Sequence, residues 1–436
     1  MTIDNSIFNG KATLSANNKI TIKNNSVFNK DTDITSTNGA ITVKGSSFNG
    51  DNATITAKKD INANNSTISN ATVNAKNINY TNTDVVGSTL NARKKANISS
   101  NSIANSTINA NKINATATGV IDNLTAVSNK TATISATDIK NSTFGANKVE
   151  ATATGDINNS TITSSIANVV SGSVTDSTIT ADSITAAVSG AVDNLTTVSN
   201  GTATINAKNI KNSTLGANTL TANATKNINN SKINATQANI TANTVKKSTI
   251  TADTINATIA KINNSTLTGD TTLTGSNLNS AIKKSTISSL NAQNMNDLTI
   301  NDSTVDILST LNTGNVTLQG LESGSVTISG AKDVVIQNST SQALATTPTI
   351  LELAAGQTPI YDYNEARYNA GYFENQIAAQ GNRYGADTRV SYISGDVNIS
   401  DVDNINVINA IIEGNLTETN YNLVTKYRIL GEIYVW

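Results

Sequence analysis

The residues best suited to chemistry are three aspartates, Asp396, Asp401 and Asp403, in the segment GDVNISDVDN. Carboxylates clustered on one face support glycosidic-bond cleavage or hold calcium, and in an extended strand Asp401 and Asp403 project to the same side. Arg367, Arg383 and Arg389 lie just upstream. The plainer roles for these groups are a solvated corner for the aspartates and surface ion pairs for the arginines. The rest of the inventory is poor. Histidine and cysteine are both absent from the 436 residues, which removes imidazole acid–base chemistry, thiol nucleophiles, disulfides and thiolate zinc sites. No phosphate loop, EF-hand, nucleophile elbow or GGxGxDxU calcium repeat occurs. The chain therefore reads as a non-enzyme with no metal and no cofactor.

Binding is the other chemistry to weigh. Nine of the ten tyrosines lie beyond Thr346, with the only tryptophan and both prolines. Within YDYNEARYNAGYFENQIAAQ the large groups recur at near-helical spacing, so one amphipathic helix is expected near residues 361–380. Tyr361, Tyr363, Arg367, Tyr368 and Tyr372 are its candidate ligand-binding residues, since tyrosine and arginine anchor interfaces. The same helix could instead close the end of a stack and keep it from aggregating. Lysine pairs, Lys58–Lys59, Lys94–Lys95, Lys246–Lys247 and Lys283–Lys284, read as solubilising charges at corners, with a glycosaminoglycan patch the lesser alternative at a net charge of −1. Asn-x-Ser/Thr sequences (Asn65, Asn105, Asn141, Asn159, Asn212, Asn264) are expected from composition alone, because 68 residues are asparagine; modification at them stays open. Thr-x-Thr segments such as TATIS and STITA suggest an ice-binding array, but threonine positions that drift with uneven spacing would not form one.

These residues need elements to position them, and the elements repeat. A polar step followed by apolar alternation, NNSTI then Ile-x-Ala, marks Ser6, Ser26, Ser46 and Ser66 at intervals of 20, then Ser88 after 22, then Ser106 to Ser303 at mostly 17 or 18. Asp122–Asn147 matches Asp193–Asn218 at 20 of 26 positions with an offset of 71, or four such turns. Alternation with period two and many Thr, Ile and Val means strand. Asn, Gly, Ser and Asp between strands tolerate the left-handed backbone of corners. Units of this length close one coil of a parallel β-solenoid, whose inward face is buried only by stacking on neighbours.

About 18 coils of 17–22 residues would stack to roughly 85 Å. Asparagines at equivalent corners would form amide ladders, and the longer intervals would be corner insertions. The fold expected is all-β, with a solenoid over residues 1–345 and a C-terminal cap or module over 346–436, in which strands follow the Tyr-rich helix and GDVNISDVDNINVINAII adds one or two further coils.

The steps TGDINNSTI, KKDINANNSTI and AKDVVIQNS resemble the haemagglutinin repeats of filamentous haemagglutinin-like, two-partner-secreted exoproteins, over roughly residues 1–342. The resemblance implies a right-handed β-helix, an outer-membrane transporter as partner during secretion, display at the bacterial surface, and a host or neighbouring-cell receptor or glycan as the contact. The function it implies is a non-enzymatic adhesin shaft. The stalk of a contact-dependent inhibition toxin is the near alternative, and a carbohydrate-active β-helix or an ice-binding solenoid the distant ones. Thirty basic and 31 acidic residues cancel to −1, so the balance points to no nucleic-acid partner, and no apolar run is long enough to span a membrane.

Overall fold

The computed structural model describes residues 1–337, 391–393, 395–412, 415–430 and 433–435. The chain divides into two compact units, Met1–Asn223 and Ala224–Trp436. Every described element is a β-strand and the pairings between coils are parallel, giving about 19 coils of a parallel β-solenoid. The all-β solenoid expected from the repeat is what forms. The expected helix at 361–380 lies outside the described residues.

One coil of the first unit shows the plan. Residues 107–110 form a first face, 112–117 a second and 120–122 a third, with corners between them. Each residue sits over its equivalent in the next coil: Thr107 over Thr125, Ile113 over Ala132, Ile121 over Ile139. Alternate side chains point inward, and the inward ones are aliphatic and almost fully buried. On the third face, Phe8, Phe28 and Phe48 lead into Ile68, Val85, Ile103, Ile121 and Ile139 as one continuous rank. The three phenyl rings stack at 4.6 and 4.8 Å with planes 1° and 3° apart, the spacing that the backbone ladder imposes.

The second face has three inward positions, and from residue 96 the first two follow a rule. One coil carries Ala96 and Ile98, the next Ile113 and Ala115, then Ala132 and Ile134, Val149 and Ala151, Ala167 and Val169, Ile184 and Ala186, Ala203 and Ile205. Each coil thus holds one large and one small residue, and each large side chain lies over a small one. The second unit repeats the pattern with Ala238/Ile240 under Ile255/Ala257.

Corners are built from a recurring pair. The first member, usually asparagine, has a left-handed backbone: φ is 51° at Asn105, 52° at Asn123, 49° at Asn141 and 47° at Asn159. Asparagine pays little for this conformation. The second member is a buried serine. Its hydroxyl donates to the carbonyl two residues back, as in Ser142 to Lys140 at 2.6 Å and Ser160 to Asn158 at 2.8 Å. The same hydroxyl accepts the N–H of the equivalent residue one coil earlier: Leu124 N to Ser142 Oγ is 3.1 Å, Ser142 N to Ser160 Oγ 3.2 Å and Ser160 N to Ser177 Oγ 3.1 Å. A serine therefore satisfies a corner N–H that the ladder leaves over, where an unpaired buried donor would cost about 1–3 kcal/mol.

The serine marks do not all belong to one corner. Ser6, Ser26, Ser46 and Ser66 sit between the second and third faces, and the residue stacked on Ser66 is Thr83, because Thr67 pairs with Asp84. Ser88 sits between the third and first faces, and its hydroxyl accepts the N–H of Ala71 at 3.1 Å. The interval of 22 is thus a change of corner rather than a longer coil. The intervals of 20 are genuine, and their additional residues are shared between two corners, the first–second one, as at Thr37–Gly39, and the third–first one, as at Gly50–Asn52.

In the second unit the stack resumes after residues 338–390 as though uninterrupted. Glu322 pairs with Tyr392, Val326 with Val397 and Asp333 with Asn404. Gln337 pairs with Ile408 and Ser391 with Ala410, so the next coil spans the same gap with the single residue Asn409. The described strands beyond Ser391 are therefore further coils, and the stack passes the expected boundary at 345/346.

Two outcomes are expected. Replacing residues 338–390 by one asparagine leaves the cooperative thermal unfolding of the second unit in place, checked by circular dichroism. Deleting two coils (residues 122–157) keeps the large-over-small alternation, whereas deleting one (residues 122–139) sets Ile113 over Val149. The single deletion should be the less stable of the two by about 1–3 kcal/mol in urea unfolding.

Candidate functional site

Tyr361, Tyr363, Arg367, Tyr368 and Tyr372 lie outside the described residues, as do Arg383 and Arg389. Of the aspartates, Asp396 is exposed and its Oδ1 accepts the Asn415 N–H at 2.8 Å, which is a corner hydrogen bond. Asp401 is exposed at a left-handed corner, φ 55°, and Asp403 belongs to the strand Val397–Ile412. A corner thus falls at Asp401, within the strand. Among the described residues no three His, Cys, Asp or Glu side chains converge as a metal site.

The threonines are better ordered than their spacing suggested. Thr54, Thr72, Thr89, Thr107, Thr125, Thr143, Thr161, Thr178, Thr196 and Thr214 form one unbroken rank on the first face of the first unit. The drift is absorbed at corners. The neighbouring outward rank, however, runs Thr56, Asn74, Asn91, Asn109, Val127, Gly145 and Thr163, so the face has one threonine rank and not the pair that an ice-matching surface needs. Of the Asn-x-Thr asparagines, Asn105, Asn141, Asn159 and Asn212 occupy the corner between the third and first faces, where Asn159 Nδ2 donates to Asn141 Oδ1 at 2.8 Å.

Among the described residues one corner of the first unit gathers basic side chains. Lys58 and Lys59 stand at the corner between the first and second faces. Lys76 stacks on them, its N–H donating to the Lys59 carbonyl at 2.9 Å. Arg93, Lys94 and Lys95 follow in the next coil, with Lys95 over Asn77, then Lys112 over Lys95, and Lys130 beside Thr131, which lies over Lys112. All eight are exposed. They are also all the basic residues between positions 58 and 130. The stretch holds three carboxylates. Asp84 and Asp122 are on the third face, and Asp60, at this corner, is occupied by the Asn77 amide, whose Nδ2 donates to its Oδ1 at 2.8 Å.

Amide ladders flank this corner on both sides. On the first face Asn91 donates to Asn74 and Asn109 to Asn91, each at 2.9 Å. On the second face Asn79 donates to Asn62 at 2.9 Å, Asn97 to Asn79 and Asn114 to Asn97 at 2.8 Å. Each ladder bond uses one of the two amide N–H groups. The stripe ends at Lys148, whose ammonium lies 2.7 Å from Glu150; that contact and the Thr133 hydroxyl at 3.0 Å hold the Glu150 carboxyl below its ordinary pKa.

Sequence reasoning found two of these lysine pairs and missed the stripe. The signal was present: Lys59, Lys76, Lys94, Lys112, Lys130 and Lys148 recur at steps of 17 or 18, one per coil. Compared with protein-family models, with curated proteins and with solved structures, the chain matches none.

The bulkiest of the described buried side chains with an unpartnered polar atom belongs to no site. Tyr80 is 2% exposed, stands over Ala63 and under Ile98, and its hydroxyl has no hydrogen-bond partner. Burial alone pushes its phenol pKa up. Tyr80→Phe should stabilise the first unit by about 1 kcal/mol, because it removes an unpaired hydroxyl and keeps the ring; a fall in the urea midpoint would mean that the hydroxyl is paired in solution.

Proposed function

We propose that the chain is a non-enzymatic display scaffold, the shaft of a secreted or surface-exposed bacterial adhesin. The observation that supports this is how the outer polar side chains are used. Asparagines, serines and threonines on the described coils bond to their equivalents one coil away, so the surface is a set of ranks that hold the stack and present repeated contacts outward. A stack that resumes in register after residues 338–390 can also carry a long segment at one corner without losing its ladder. Both features suit a spacer that holds binding elements away from a cell. A delivery stalk for a toxin domain would use the same coils, and the adhesin reading adds that the chain itself makes the contact.

The test compares binding of the purified full chain, and of the chain with 338–390 replaced by one asparagine, to a glycan array and to cultured cells. Binding by the full chain is the expected result. If the shortened chain binds alike, the contact lies on the coils; if it does not, the segment carries it. Binding by neither rejects the adhesin and leaves the stalk.

A further inference from the structure

From the basic corner of the first unit we infer a binding site for a linear acidic polysaccharide. The inference concerns what the stripe binds, not where the chain resides, and so stands apart from the display reading. Five consecutive coils carry at least one cation each, from Lys59 to Lys130, over a length of about 19 Å at the coil spacing. Two of the eight also bond within the stack, Arg93 to the Lys58 carbonyl and Lys58 to Asn38 Oδ1 at 3.3 Å, but among the described residues no such side-chain bond is seen for the other six. A corner lysine makes no inward contact, and like charges one coil apart repel by about 1 kcal/mol or less in water before salt screens them. Three corners were open to the same residues, yet every cation of this stretch is on one. The only carboxylate beside them, Asp60, is occupied by Asn77 at 2.8 Å. None of these cations takes part in an ion pair within 4.0 Å among the described residues.

The shape of the site selects the polymer. A straight stripe of regularly spaced cations fits a chain with regularly spaced anions. On either side the half-buried Asn74–Asn109 and Asn62–Asn114 ladders present amide groups, which hydrogen-bond sugar hydroxyls. No aromatic side chain stands at this corner for a base to stack on, as single-stranded nucleic acid sites use. No large apolar side chain stands there to enter a lipid surface. Carboxylate or sulfate on the sugar would serve equally, because lysine engages both as a point charge.

The experiment measures binding of the full chain to polygalacturonate, to dextran sulfate, to neutral dextran and to single-stranded DNA, by biolayer interferometry at several salt concentrations. A Lys59→Gln, Lys76→Gln, Lys94→Gln, Lys112→Gln variant is compared with a Lys246→Gln, Lys247→Gln, Lys283→Gln, Lys284→Gln variant of equal charge. Thermal unfolding of both confirms that they fold. The expected result is that one or both acidic polysaccharides bind, neutral dextran does not, and the first variant alone loses affinity about tenfold or more with a shallower salt dependence. Polygalacturonate against dextran sulfate distinguishes carboxylate from sulfate recognition. Equal losses in both variants would reduce the effect to overall charge and overturn the site. Binding of DNA as tight as that of the polysaccharides would overturn the assignment to a sugar polymer, as would no binding to either polysaccharide.

Discussion

Everything in this protein depends on parallel coils lying in register. The backbone ladder fixes a spacing of about 4.8 Å, and each side chain must then be compatible with its own kind one coil away. Phenylalanines accept this by stacking face to face, asparagines by passing one amide N–H to the next amide, and corner serines by bridging an N–H of one coil to a carbonyl of the next. Charged side chains accept it least, and they make up only 14% of the residues. The left-handed asparagine makes the register possible, because it turns the chain sharply enough for short faces to close into a coil.

Against that requirement the basic corner stands out. The neighbouring ranks use polar groups that attract their own kind, whereas lysine over lysine does not hold a coil to its neighbour. The formal charge of −1 conceals this separation, since the described balancing carboxylates other than Asp60 lie away from this corner.

Much of the fold was legible in the sequence because stacking writes itself as a period. The Asn–Ser step gave the coil length, and the alternation of ATITA or STITA gave strands. What the period could not give was the identity of each corner. Asn65–Ser66 and Asn105–Ser106 use one device at two different corners, so Ser88 was strung onto a line to which it does not belong. The threonine rank failed to appear for a related reason: variable coil lengths are absorbed at corners on either side of the second face, and only pairing shows that Thr54 and Thr214 share a line. The basic stripe was hidden by bulges at Lys76 and at Arg93–Lys94. The alternation in 397–407 was correctly read as coils, but adjacency to 326–336 depends on contacts across residues 338–390, which no local pattern encodes.

The large-over-small packing of the second face has a genetic corollary. Repetitive coding sequence gains and loses copies by unequal recombination, and any exchange in units of one turn keeps the backbone frame. Only exchanges of an even number of turns also keep Ile over Ala. The heritable module is therefore a pair of coils, about twice the apparent period. The one long duplication in the chain, Asp122–Asn147 recurring at Asp193–Asn218, spans four turns and returns Ala132 and Ile134 as Ala203 and Ile205 in the same phase. A protein built this way can lengthen freely in even steps, while odd steps meet resistance from its own interior.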